Sequence, residues 1–211
     1  MTNNKALHTA VEEVLKEKGT RKFQQTVELV INFKDVDFTK PENRLNLEIP
    51  LPKGRGKQVK VAVFADGQFA TDAKKAGADI VYGGDSIDQI AKNKPQLKKL
   101  ANEYVFLAEP KLMVAIGKSL GQVLGAKGKM PKPLTGKTDV LIERSRRTVF
   151  IKSKGKYMPV AHVPIGTESM PAADIVENAM SVLDTIKSKV GEHAIKNVYV
   201  KLTMGKPVKV G

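Results

Sequence analysis

The chain has 211 residues, 41% of them hydrophobic and 27% charged, which is typical of a folded globular protein rather than a disordered one. It contains no cysteine, which excludes disulfides, thiol catalysis and thiolate metal sites, and no apolar run approaches the roughly 18 residues needed to span a bilayer. The formal net charge of +14 favours a polyanionic partner, and we therefore expect a soluble, intracellular protein that binds one.

The N-terminal segment predicts one helix followed by two half-buried strands. Residues 5–18 place their apolar side chains on one helical face, and Gly19 is a natural stop. Residues 27–33 and 45–51 alternate apolar and polar side chains, as strands of an antiparallel sheet with one buried face do. The turn at 40–44 predicts a hairpin-like connection between these two strands.

The middle of the chain shows a different periodicity. Two prolines, two glycines and three basic residues within 50–57 mark a candidate domain boundary. The nearly continuous apolar run at 59–65 then predicts a strand buried on both faces. Strands alternate with helices for about 70 residues, which predicts a βαβ domain with a largely parallel sheet. Its further predicted elements are strands at 78–82 and 103–108, helices at 67–76, 86–92, 95–102 and 110–124, and closing strands around 139–143 and 147–152.

The C-terminal part returns to alternation. Residues from 158 predict a strand, Met170-Pro171 opens a long amphipathic helix, and 198–202 predict the last strand. That strand runs into a Thr203-Met204-Gly205 turn, where glycine permits positive φ or a close backbone approach. Neither end of the chain can close a core alone. We therefore expect one α+β domain built from residues 1–54 and 151–211, with residues 55–150 inserted as a second, α/β domain.

Catalytic interpretations find little support. Ile116-Gly117-Lys118-Ser119 matches the end of a phosphate-binding loop, but Leu112 stands where its first glycine belongs. Gly121, Gly125 and Gly128 do not have dinucleotide-binding spacing. The three histidines lie far apart in sequence, so no metal-ligand spacing exists. We expect no enzyme activity, no cofactor and no metal.

Basic residues are the stronger signal. Residues 55–150 carry 18 Lys and Arg against 9 Asp and Glu. The charge is densest in the loop at 125–138, which holds Lys127, Lys129 and Lys132 and no acidic residue, and in Arg144 to Arg147. Any single run is more often a solvated face, but the total excess predicts contacts with nucleic-acid phosphates, which supply affinity and salt dependence.

Six motifs in a fixed order carry a family resemblance. The chain resembles large-subunit ribosomal protein one, in its archaeal form, over essentially its full length. The motifs are Lys22-Phe23-Gln24-Gln25-Thr26-Val27-Glu28-Leu29, Leu51-Pro52-Lys53-Gly54-Arg55-Gly56-Lys57-Gln58-Val59, Ala76-Gly77-Ala78-Asp79, Leu124-Gly125-Ala126-Lys127-Gly128-Lys129-Met130-Pro131, His162-Val163-Pro164-Ile165-Gly166 and Val198-Tyr199-Val200-Lys201-Leu202-Thr203-Met204-Gly205.

The resemblance implies a non-enzymatic protein of the 50S ribosomal subunit. Members have an α+β domain formed by both chain ends and an inserted Rossmann-like domain. They bind the large-subunit rRNA that forms the mobile stalk beside the tRNA exit site. The resemblance further implies that this protein assists release of tRNA from the exit site and represses translation of its own mRNA. It implies a cytoplasmic monomer when free, with no membrane partner. A non-ribosomal RNA chaperone and a small α/β enzyme stay open as alternatives.

The resemblance also implies which side chains contact RNA. The main RNA-binding residues carried over are Lys22, Phe23, Thr26, Glu28, Ser169, Lys201, Thr203, Met204 and Gly205, with secondary contacts from Lys127, Lys129 and Lys132. Strand pairing between the chain ends should place Phe23, Thr26 and Glu28 beside Thr203, Met204 and Gly205 on one sheet edge. Core filling is the alternative for Phe23 and Met204, and for Glu28 the alternative is a solvated strand residue or the partner of a lysine.

Overall fold

The structure is a computed structural model that describes residues 4–152 and 158–211. The described helices are α1 (Asn4–Leu15), α2 (Gly67–Lys75), α3 (Ser86–Lys92), α4 (Lys94–Glu103), α5 (Met113–Ser119), α6 (Gly121–Ala126), α7 (Thr138–Arg147) and α8 (Ala172–Val190). The described strands are β1 (Thr26–Phe33), β2 (Asn46–Pro50), β3 (Lys60–Phe64), β4 (Ile80–Tyr82), β5 (Tyr104–Ala108), β6 (Lys132–Pro133), β7 (Thr148–Lys152), β8 (Val160–Thr167), β9 (Ile195–Leu202) and β10 (Val208–Lys209). The predicted mixed α/β class is confirmed.

These elements divide into two compact units. The first takes its residues from Met1–Lys57 and Arg147–Gly211, and the second is Gln58–Arg146. The boundaries expected from sequence are 54/55 and 150/151, and residues 153–157 of the expected C-terminal part lie outside the described residues. Among the helices described, none is long and apolar enough to cross a membrane.

The first unit is built on a four-stranded antiparallel sheet with the strand order β10-β9-β1-β8. The N-terminal strand β1 therefore lies between two C-terminal strands. Val27, Leu29 and Ile31 on its inward face are fully buried in one core with side chains of α1 and α8. Burial of one such side chain stabilises the fold by about 1.5–3 kcal/mol. Because side chains alternate along a strand, the opposite face of β1 stays partly exposed.

The predicted hairpin between the first two strands is wrong. β2 pairs antiparallel with β7 in a separate two-stranded sheet and makes no ladder with β1. The alternation located the strand correctly, but its partner lies about 100 residues further along the chain. In the connection after β1, Phe38 is buried and packs edge-on against Phe33, with ring centroids 5.2 Å apart, which anchors the connection to the core.

The second unit is a parallel sheet with helices on both faces. Its strand order is β4-β3-β5-β6. Ala62 and Phe64 of β3 lie in a core with side chains of α3 to α6, whereas Val61 and Val63 lie in another core with side chains of α2 and α7. Burial on both faces explains why this strand reads as a continuous apolar run.

Three predictions for the middle of the chain need correction. The segment expected to be a strand at 139–143 lies in α7, where Val140 is 59% exposed and Ile142 is buried. A strand would place both on one face, whereas a helix separates them. The strand at 147–152 exists as β7 but joins β2, so it does not close the parallel sheet. The helix expected at 110–124 is a 3-10 turn followed by α5 and α6, in which buried Ile116, Leu120 and Leu124 keep one apolar face.

Candidate nucleic-acid interface

The Thr203-Met204-Gly205 turn is tied to the first residues of β1 by hydrogen bonds. The Thr203 amide donates to the Thr26 carbonyl at 3.0 Å, and the Thr26 amide donates to the Thr203 hydroxyl at 3.1 Å. The Thr203 side chain thus continues the β1–β9 ladder one step past the end of β9. The Met204 amide donates to the Gln25 side-chain oxygen at 3.1 Å. The turn is therefore a fixed feature at this end of the sheet.

Two large apolar side chains stand exposed at this end. Met204 is 60% exposed, and Phe23, in the connection between α1 and β1, is 51% exposed. The alternative that they fill the core is wrong for both. Exposed apolar groups within a polar surrounding are typical of interaction sites. Lys22, beside Phe23 in the chain, is also exposed.

Ser169 joins the same end of the sheet from the other side of β1. The side-chain nitrogen of Gln24 donates to the Ser169 hydroxyl at 2.6 Å, and the Thr167 and Ser169 hydroxyls lie 3.0 Å apart. Thr167 is the register partner of Thr26. The turns that follow β8 and β9 therefore flank the start of β1, and together they form one surface.

Glu28 and Lys201 face each other across β1 and β9. They are register partners, and the Lys201 ammonium lies 4.0 Å from the Glu28 carboxylate. The same ammonium donates to the Thr203 carbonyl at 3.0 Å, so Lys201 supports the turn. The pairing of Glu28 with a lysine, which was the alternative interpretation, is present. At 4.0 Å and part exposure such a pair contributes little energy, about 0–1 kcal/mol, and the carboxylate can also accept from a ligand.

Gly205 is needed for space rather than for its backbone conformation. Positive φ was expected there, but Gly205 is not among the described glycines with positive φ. A Cβ at this position would lie 2.9 Å from the Glu17 carboxylate oxygen and 3.1 Å from the Leu202 Cβ. A larger residue would need the exposed Glu17 side chain to swing aside and Leu202 of β9 to shift by a few tenths of an ångström.

We call the nine residues placed at this end of the sheet the composite surface: Lys22, Phe23, Thr26, Glu28, Ser169, Lys201, Thr203, Met204 and Gly205. Gln25 and Glu168 are both buried beneath it, and neither is among the site residues predicted from the sequence. A signal for Gln25 was present. It occupies the inward phase of the β1 alternation with Val27 and Leu29, where a polar side chain needs a dedicated partner.

The three secondary lysines belong to the second unit. The Lys127 ammonium donates to the Lys98 carbonyl at 2.8 Å and to the Asn102 side-chain oxygen at 2.5 Å, so it is held against α4. Lys129 and Lys132 are partly exposed, and Lys132 lies in β6. These contacts make Lys127 a structural residue as well as a candidate for phosphate binding.

The structure offers little geometry for catalysis. Gly117, Lys118 and Ser119 lie within α5, so the segment that matches a phosphate-binding loop is helical. Within residues 4–152 and 158–211, no group of three or more His, Asp or Glu side chains is arranged to hold a metal. A cavity of about 150 Å³ is lined by residues such as Lys187, Glu192 and Lys196 and contains no member of the composite surface. The candidate site is a surface rather than a pocket.

Comparison with known proteins identifies similar chains. The model of the "Ribosomal protein L1p/L10e family" matches residues 15–206. A protein of Thermoplasma volcanium named large ribosomal subunit protein uL1 is 47% identical over 207 residues, covering 96% of this chain and 94% of its own. Proteins of the same name from Thermococcus kodakarensis and Methanothermobacter thermautotrophicus are 45% and 42% identical, each over 95% of this chain and over 94% and 96% of their own lengths.

Proposed function

Because this chain belongs to the ribosomal protein L1p/L10e family, we propose that it is a component of the large ribosomal subunit that binds large-subunit rRNA at the mobile stalk beside the tRNA exit site. The similar proteins are named as large-subunit proteins, and the family is one of ribosomal structural proteins rather than enzymes. Its place in the cell is then the ribosome in the cytoplasm, and it acts without a cofactor.

The composite surface is the observation that carries this proposal. It offers hydroxyls from Thr203 and Ser169, a carboxylate from Glu28 and exposed apolar side chains from Phe23 and Met204. Folded RNA is recognised through its shape, its 2′-hydroxyls and its unstacked bases. Hydroxyl and carboxylate groups on a fixed sheet end suit 2′-hydroxyls, while Phe23 and Met204 suit exposed bases and sugars. These groups provide selectivity that lysines alone do not.

The net charge supplies the less selective part of the affinity. A chain of +14 attracts the RNA backbone and releases counterions on binding, so that affinity falls with salt. We assign Lys22 and the second-unit lysines Lys127, Lys129 and Lys132 to such phosphate contacts. The two units act in this proposal as two domains, residues 1–54 with 151–211 as the main RNA-binding domain and residues 55–150 as the inserted Rossmann-like domain.

Two finer roles follow from one RNA-binding surface. Movement of the stalk with the bound protein would assist release of tRNA from the exit site. The protein would also repress translation by binding a similar RNA fold in its own mRNA. Because the composite surface can hold one such fold at a time, rRNA and mRNA would compete for it. The free protein would be a monomer available for either.

Selective binding tests the proposal against its alternatives. The whole chain is titrated with a labelled stalk rRNA fragment at moderate salt, in competition with an unrelated structured RNA of equal length. The ribosomal assignment predicts that stalk RNA is bound at least about 10³-fold more tightly, as specific nucleic-acid sites are. Equal affinity for both RNAs would favour a general RNA chaperone. Absence of binding to either would remove the RNA assignment.

A further inference from the structure

Two buried polar residues underlie the composite surface, and their hydrogen bonds reach the segments that carry it. We infer that Gln25 and Glu168 are positioning residues, which hold the Met204 turn and the Ser169 turn in the arrangement that binds RNA. The inference rests on the proposed function and names residues that it does not include. Neither side chain would contact RNA itself, since Gln25 is 1% and Glu168 is 7% exposed.

Gln25 links the two turns through both ends of its side chain. Its oxygen accepts a hydrogen bond from the Met204 amide at 3.1 Å. Its side-chain nitrogen donates to the Glu168 carboxylate at 3.5 Å. The backbone carbonyl of Gln25 also accepts from the backbone amide of Glu168 at 3.0 Å. One side chain therefore connects the segment after β9 with the segment after β8. Both segments carry an RNA-facing residue immediately next to the bonded one, Thr203 and Ser169.

Glu168 adds a third segment to this arrangement. Its carboxylate oxygen Oε2, which accepts from Gln25, also accepts from the Gly19 amide at 3.4 Å. Gly19 lies in the connection that carries Lys22 and Phe23 towards β1. The two buried side chains thus bond to the backbone or side chain of all three segments that form the composite surface.

Burial makes this arrangement sensitive to the chemistry of each partner. A carboxylate or an amide removed from water is tolerated only where its hydrogen bonds are satisfied. Two apolar side chains would fill the space without that requirement, but they would leave the Met204 amide without its acceptor. What the polar pair adds is a fixed position for the turn, and preorganisation of this kind raises affinity because binding then orders less of the protein.

The donor and the acceptor in the hydrogen bond between Gln25 and Glu168 can be exchanged by substitution. Gln25 donates and Glu168 accepts. Gln25→Glu places two carboxylates at this contact, and their repulsion should push the β8 and β9 turns apart. Adding Glu168→Gln restores one donor and one acceptor with the roles exchanged, while residue 25 still accepts from the Met204 amide. The double variant should therefore recover part of what the single variant loses, because the atom that now donates at position 168 no longer accepts from the Gly19 amide.

The test compares affinity for the stalk rRNA fragment among folded variants of the whole chain. We expect Gln25→Glu to weaken binding about tenfold or more, and the double variant with Glu168→Gln to regain at least about threefold of that loss. Gln25→Met, which removes the acceptor without adding charge, should weaken binding as Gln25→Glu does. Asn178→Asp is the matched control, because it changes a buried amide of the same unit that does not bond to the composite surface.

Amide hydrogen exchange at Met204 gives a readout that needs no RNA. Exchange should be slow in the parent and the double variant, and faster in Gln25→Met and Gln25→Glu. Loss of affinity in Asn178→Asp equal to that in Gln25→Glu would reduce the effect to general destabilisation and overturn the inference. Parent-like affinity in folded Gln25→Met would also overturn it. A parent chain that does not select stalk RNA would instead refute the proposed function, and Met204 exchange would still report whether Gln25 fixes the turn.

Discussion

Truncation of Met204 should weaken RNA binding without affecting the fold. Its side chain is 60% exposed in the free protein, so that fraction remains available for burial against RNA. Complete burial of a methionine contributes about 1.5–3 kcal/mol, and 60% of it contributes about 1–2 kcal/mol. Met204→Ala should therefore raise the Kd for the stalk rRNA fragment about 5- to 30-fold. Because the side chain is outside the core, the free energy of unfolding should change by less than about 0.5 kcal/mol.

Met158 provides a matched control for this experiment. It is 65% exposed and precedes β8, whose first residue pairs with Asn32 near the far end of β1. The length of β1 separates the far end of this strand from Thr26 by about 23 Å. Titrations by fluorescence anisotropy at one fixed salt concentration, with thermal unfolding in parallel, compare Met204→Ala and Met158→Ala. Unchanged affinity in Met204→Ala, or an equal loss in both variants, would refute the assignment of Met204.

Three further changes separate the contributions of direct RNA binding, charge and scaffold. Thr203→Val removes a hydroxyl that the β1 ladder uses and should weaken stalk RNA binding by about 1–3 kcal/mol, measured by the same titration, and no loss would contradict its role. Combined replacement of Lys127, Lys129 and Lys132 by alanine should reduce the slope of log K against log salt by about 0.7–0.9 for each phosphate that is no longer neutralised, and an unchanged slope would remove them from the interface. Asn178→Leu leaves three backbone groups without their partner and should lower the unfolding free energy by about 2–4 kcal/mol in thermal denaturation, with RNA affinity retained while the chain is folded.

Sequence periodicity located the elements better than it located their partners. The alternation in β1 and the continuous apolar run in β3 follow directly from burial on one face and on two faces. Pairing of β2 with β7 depends on contacts between residues about 100 positions apart, which no local pattern encodes. The prediction of a strand at 139–143 is wrong because Val140-Leu141-Ile142 has the composition of a strand. Of these three residues only Ile142 is buried, as expected for one face of a helix.

The composite surface could be anticipated only in part. The family resemblance supplied its residues, and pairing of the chain ends supplied their proximity through the Thr26–Thr203 bonds. Neither the resemblance nor the strand pairing indicated that Lys201 supports the turn, that Gly205 packs closely against Leu202, or that Lys127 is bound to α4. Such roles depend on where side chains lie in the folded chain, which sequence patterns do not specify. The inward phase of Gln25 was the one local sign of the buried pair.

Tethered cleavage tests directly whether the composite surface faces stalk rRNA. The chain has no cysteine, so a single substitution creates one attachment site for a hydroxyl-radical probe. Arg21→Cys places the probe beside Lys22 and Phe23, and Met158→Cys places it at the other end of the sheet. In large subunits assembled with each labelled protein, we expect strong cleavage of stalk rRNA from position 21 and weak or no stalk cleavage from position 158. Stalk cleavage that is absent from position 21, or equal from both positions, would show that the composite surface does not face the stalk.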